Sequence, residues 1–151
     1  MTSRAPGDNP NEIYVGAHLF RWEPPDIGYL CYRGDLDGPA MIALRDKGRQ
    51  FTVGQPQVFM LVQMAYLGKV SLEARRQSAQ GGKDVNMRGI AVVNASAPLR
   101  LISSLVSRAF DLLNGNTDNP TRFFETESEA RAWIAARRTT LQAAGSLARK
   151  L

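Results

Sequence analysis

Two periodicities divide the chain into blocks. Residues 18–23 and 27–33 are short runs rich in aromatic and aliphatic side chains, separated by Pro24, Pro25 and Asp26, which predicts an antiparallel hairpin turning at Pro25. Residues 58–64 and 90–93 are almost unbroken apolar runs of strand length, the pattern of strands covered on both faces. Residues 121–124 predict a last short strand. Helical signals fill the gaps. Asp37 or Gly38 caps a helix that Pro39 opens and that runs to about Gly48, and Ser71 caps another through LEARRQSAQ, ending at Gly81-Gly82. Ser96 or Ala97, followed by Pro98, opens a third that ends at Asn114-Gly115. Its residues Ile102, Leu105, Val106, Ala109 and Leu113 recur at helical spacing opposite Arg100, Ser103, Ser104, Ser107 and Asp111. Thr126 and Glu129 form a capping box for the last helix, with Trp133 and Ile134 on its inner face. The apolar phases together predict that Leu61, Ile90, Val92, Ile102, Val106, Phe123 and Trp133 are buried as one core.

Strands alternating with helices predict an α/β domain with mostly parallel pairing, and a ligand-prone rim at the carboxyl ends of the strands, here residues 64–71 and 94–98. A chain of 151 residues holds one such domain. We read residues 1–11 as a disordered tail, 12–138 as the domain, and 139–151 as a basic helical extension with Leu141, Ala144, Ala148 and Leu151 at heptad-like spacing. Leu101 and Leu112 widen the apolar stripe of the third helix beyond one face. That width, and an open hairpin edge, suggest a homodimer.

Charge changes this picture little. The formal net charge is +5, but all 14 acidic residues precede Arg131, as do 14 of the 19 basic ones. The excess is a basic tail, not a basic face, so no nucleic acid is expected as a partner. No apolar run approaches the ~18 residues of a membrane span, and the start of the chain lacks the apolar core of a secretory signal, so a cytoplasmic location is expected. For the same reason the tripeptides Arg33-Gly34-Asp35 and Asn94-Ala95-Ser96 are read as coincidental matches to adhesion and glycosylation motifs. His18 is the single histidine and Cys31 the single cysteine. A turn at Pro25 sets Cys31 opposite Leu19, which predicts a core cysteine and a half-exposed histidine and leaves no catalytic dyad. No metal site, cofactor or catalytic residue is expected.

The segments FMLVQM, SLEARR, RGIAVVNAS and RFFETESEARAWI, in that order, resemble the SpoIIAA-like family, which joins the STAS domains of anti-sigma-factor antagonists with CRAL-TRIO-type lipid carriers. The resemblance implies a single mixed, mostly parallel sheet of four to five strands with an antiparallel first strand, packed against about four helices. It also implies a non-enzymatic regulatory module with a kinase or anti-sigma factor as partner, or alternatively a domain that binds a small apolar ligand or lipid. By the family's placement of its regulatory serine, Ser71 is the candidate phosphoacceptor. Ser71 is equally a plain helix cap. Lys69 and Ser96 complete the candidate rim, where helix starts can bind an anion.

Overall fold

The computed structural model describes residues 9–80, 82–115 and 118–150. Ten elements follow in the order β1 (Glu12–Val15), β2 (His18–Glu23), β3 (Ile27–Leu36), α1 (Gly38–Thr52), β4 (Val58–Val70), α2 (Leu72–Ala79), β5 (Met87–Val93), α3 (Ala97–Asn114), β6 (Thr121–Phe124) and α4 (Glu127–Lys150). The six strands form one sheet in sequence order. β1, β2 and β3 pair antiparallel, and β3 through β6 pair parallel.

Each boundary has a local cause. Asp37 caps α1 by accepting from the Ala40 N–H at 2.9 Å, and Pro39 sits in the first turn, where its missing N–H costs nothing. Ser96 does the same for α3, accepting from the Leu99 N–H at 3.4 Å, and Gly115 ends that helix in the left-handed conformation. At the start of α4 the Thr126 Oγ1 accepts from the Glu129 N–H and donates to its carboxylate, both at 3.2 Å.

Three features differ from the sequence reading. The sheet has six strands and not four or five, because EIYV pairs with β2 through a two-residue turn in which Gly16 takes positive φ. β1, not the β2–β3 hairpin, is therefore the sheet edge. Of the tail expected over residues 1–11, residues 1–8 lie outside the described residues; the Asn9 carbonyl accepts from the Glu12 N–H, and the Asn11 carbonyl from the Trp22 N–H. β4 continues six residues past Met64 to Val70, held beside β3 through two register shifts.

The sheet also divides the core that the apolar phases predict as one. Phe20, Leu30, Tyr32, Leu44, Val62 and Met87 pack on the face covered by α1, α2 and α3. Leu19, Tyr29, Cys31, Phe59, Leu61, Ala91 and Val93 pack with Ala130 and Ile134 of α4 on the other. Leu61 and Val92 are both buried, but on opposite faces, as adjacent parity in a strand demands. Ile102 and Val106 are only half-buried; indeed α3 contributes no buried residue at all. Trp133, likewise half-buried, lies against Gly89, where a Cβ would sit 3.1 Å from the indole and 3.1 Å from the Phe59 ring. A larger residue there would have to push the rings back by a few tenths of an ångström.

One helix must cover a whole face of the sheet, and it is tied down along its length. Glu127 at its start accepts from the Tyr29 hydroxyl at 2.9 Å. Arg131 binds Glu23 through both carboxylate oxygens, at 2.7 and 3.1 Å. Arg137 donates to the Arg88 carbonyl at 2.7 Å, and Arg138 grips Asp26 at 2.6 and 2.8 Å. Beyond Arg138, among the described residues only Leu141 packs on the domain, and residues 142–149 are exposed.

The asymmetry between the two helical layers gives a stability prediction. Ile134, fully buried, should cost about 3 kcal/mol when replaced by alanine. Ile102→Ala should cost about 1 kcal/mol or less, because α3 already leaves that side chain half-exposed. Urea midpoints of the two variants check the difference.

Candidate functional site

The half-buried face of α3 leaves room beneath it. Between α3, α1, α2 and the sheet lies a cavity of about 260 Å3. Its floor is Leu30, Tyr32, Met60, Val62 and Val92 of the strands; Met41 and Leu44 of α1 form one wall, and Ile102, Val106 and Phe110 of α3 the roof. Four of the chain's five methionines, Met41, Met60, Met64 and Met87, line it. Thioether side chains are unbranched and polarisable, so such a lining adapts to the shape of an occupant. The Tyr32 hydroxyl reaches only the Met41 sulfur, at 3.9 Å, and burial pushes its pKa up to about 12, so it stays a neutral phenol. The lining contains no carboxylate, imidazole or thiol.

Outside the cavity α3 is apolar as well. Leu101, Leu105 and Leu112 are 63%, 57% and 84% exposed. Leu101 and Leu112 are the two whose breadth of stripe suggests self-association; Leu105, expected on the inner stripe, faces solvent with them, while Ile102, Val106 and Phe110 roof the cavity.

Ser71 is exposed at the end of β4, and its Oγ accepts from the Ala74 N–H at 3.0 Å as the cap of α2. Lys69 is exposed, and its N–H donates to Asp35 Oδ1 at 2.8 Å across the β3–β4 pair. Ser96 is exposed as the cap of α3. Gln63 pairs with Val93, so the seven residues that follow Gln63, up to Val70, carry the start of α2 roughly 23 Å along the strand direction, whereas Ser96 follows Val93 by three residues. The long β4 thus offsets the two helix starts.

A polar cluster on the α4 side went unread in the sequence. Glu127 Oε1 accepts from the Tyr29 hydroxyl at 2.9 Å and from Gln63 Nε2 at 3.3 Å. Gln63 Oε1 in turn accepts from Asn94 Nδ2 at 3.1 Å and from the Ala65 N–H at 2.9 Å. Asn94 takes positive φ, which asparagine tolerates better than most residues. Burial, and then the bond to Glu127, hold the Tyr29 phenol well above its ordinary pKa. A polar residue inside the apolar run FMLVQM was the one available signal.

His18 departs from expectation. It is 5% exposed rather than half-exposed. Its Nδ1 accepts from the Arg33 N–H at 3.0 Å and its Nε2 donates to the Asp35 carbonyl at 3.1 Å, because the irregular stretch of β3 around Gly34 leaves those backbone groups to be satisfied by a side chain. Cys31 is buried opposite Leu19, as the turn at Pro25 requires. Among the described residues no cluster of histidine, cysteine and carboxylate side chains could hold a metal ion, and no described helix is long and apolar enough to cross a membrane.

A protein of the DUF3478 family from Shewanella loihica PV-4, uncharacterised in function and with a SpoIIAA-like fold, superposes with a TM-score of 0.55 over 78% of this chain and 91% of its own, at 16% identity. The fold is SpoIIAA-like. No family model matches the sequence, and no curated protein is significantly similar to it.

The ion pair holding α4 predicts a pH effect. The bond from Arg131 lowers the Glu23 pKa below its ordinary value of 4.5, burial opposes it, and Arg21 reinforces it. A depressed carboxylate contributes stability that is fully present above its ordinary pKa and is lost as pH falls through the lower folded-state value. Glu23→Gln should therefore be less stable than the parent at neutral pH, by about 1 kcal/mol. The gap should close below pH 4.5, as measured by urea denaturation across an acid series.

Proposed function

We propose that this SpoIIAA-like domain binds a small apolar molecule between its sheet and α3, and that it acts by binding and not by catalysis. The cavity carries the proposal. An apolar cavity of ~150 Å3 in a packed interior is enough to take benzene, and this one is larger. A close-packed core has few voids of that size, and the roof that leaves this one open is a helix with no buried residue. Such an element opens at low cost, which gives a ligand its way in. A lining without carboxylate, imidazole or thiol supports binding over chemistry.

The test is an apolar fluorophore. N-phenyl-1-naphthylamine should bind the parent with a rise in emission, and Val106→Trp, which fills the cavity from the roof, should abolish the rise while circular dichroism shows the variant folded. Absence of binding to the folded parent would remove the reading.

The regulatory reading rests on a different observation, the exposed Ser71 hydroxyl at the carboxyl end of β4. A phosphate there would lie at the positive end of α2, beside Lys69 and Arg75, where a kinase or anti-sigma factor could sense it. Peptide mass mapping of protein taken from its own cells should find phosphate on the Ser71 peptide; stoichiometrically unmodified peptide under all growth conditions would leave Ser71 as a helix cap.

A further inference from the structure

The charge of the cavity wall narrows the class of ligand. Three arginines, Arg45, Arg49 and Arg75, are among the residues that line the cavity, and no described aspartate or glutamate is. Two of the three are engaged. Arg45 donates to the Gln77 carbonyl at 3.0 Å and to its Oε1 at 3.2 Å, with Asp46 at 3.6 Å, and Arg49 forms an ion pair with Asp84. The third, Arg75, is exposed on α2, and its side chain has no hydrogen-bond or ion-pair partner among the described residues. Its backbone N–H bonds the Ser71 carbonyl at 3.1 Å, so it stands one turn into α2, where the helix dipole adds to the positive potential. An apolar chamber with an unneutralised cation on its wall is complementary to an apolar body ending in an anion.

We propose that the occupant is an aliphatic carboxylate whose chain lies under α3 against the methionines and whose head group is held by Arg75. This rests on the apolar-ligand reading above and specifies it. Scaling from benzene in ~150 Å3, the cavity suits a chain of about ten carbons. A neutral alcohol of the same length gains the burial but not the charge-assisted bond, and an amine meets the unneutralised charge of Arg75. The head group therefore sets selectivity, while the chain supplies most of the affinity.

Displacement of bound N-phenyl-1-naphthylamine by decanoate, decanol and decylamine at neutral pH tests this. The parent should prefer decanoate to decanol about tenfold, as one charge-assisted bond near solvent implies, and should bind decylamine most weakly. In Arg75→Gln, decanoate should fall to the level of decanol, and Arg75→Lys should restore most of the preference. Each result is a ratio within one variant, so it does not depend on the folded fraction. Equal displacement by decanoate and decanol in the parent, or a preference that survives in Arg75→Gln, overturns the carboxylate inference and leaves the apolar cavity standing. A parent that binds neither the fluorophore nor any of the three ligands overturns the cavity reading itself.

Discussion

A sheet whose central strands are apolar on both sides must be covered on both sides, and everything else in this molecule follows from how unequally that is done. β3, β4 and β5 send alternate residues into two separate layers. One layer has a single helix to close it; the other has three. Where α4 works alone, packing is dense and reinforced by a chain of carboxylate and guanidinium contacts from Glu127 to Arg138. Arg138 with Asp26 is the most enclosed of these, the carboxylate being 4% exposed, and removing the arginine would strand a buried charge. Where three helices share a face they cannot all seat, and α3 stands off. The cavity is the residue of that mismatch.

The same inequality explains why much of the fold was legible in the sequence and the cavity was not. Caps are local chemistry: Asp37, Ser71, Ser96 and Thr126 each bond an N–H within three residues, so sequence spacing alone finds them. The β2–β3 register is almost as local, because a short turn at Pro25 fixes it and with it the pairing of Cys31 with Leu19. β1 was missed because EIYV is four residues long beside a polar tail. The end of β4 was missed because Gly68 and Lys69 read as loop, although that glycine leaves space for the Asp35 carboxylate, which caps the Lys69 N–H.

Non-local features were out of reach. Of the apolar stripe of α3, Ile102 and Val106 face the sheet while Leu105 and Leu113 are exposed; depth of burial depends on whether α1, α2 and the floor leave the helix room, and no window of sequence contains that information. His18 is similar. Its burial depends on two unpaired backbone groups at an irregularity of β3, fifteen and seventeen residues away. For the candidate site, sequence spacing marked Ser71 and Ser96 as helix caps at the rim, whereas Arg75 is distinguished only by what its neighbours have already bonded.

The methionine lining has a practical consequence. Four of five methionines meet in one chamber although they come from α1, β4 and β5. A sample carrying isotope-labelled methionine methyl groups would therefore show a nuclear magnetic resonance spectrum in which nearly every signal comes from the chamber wall. Whatever enters or leaves it would be seen directly, without tag, dye or antibody.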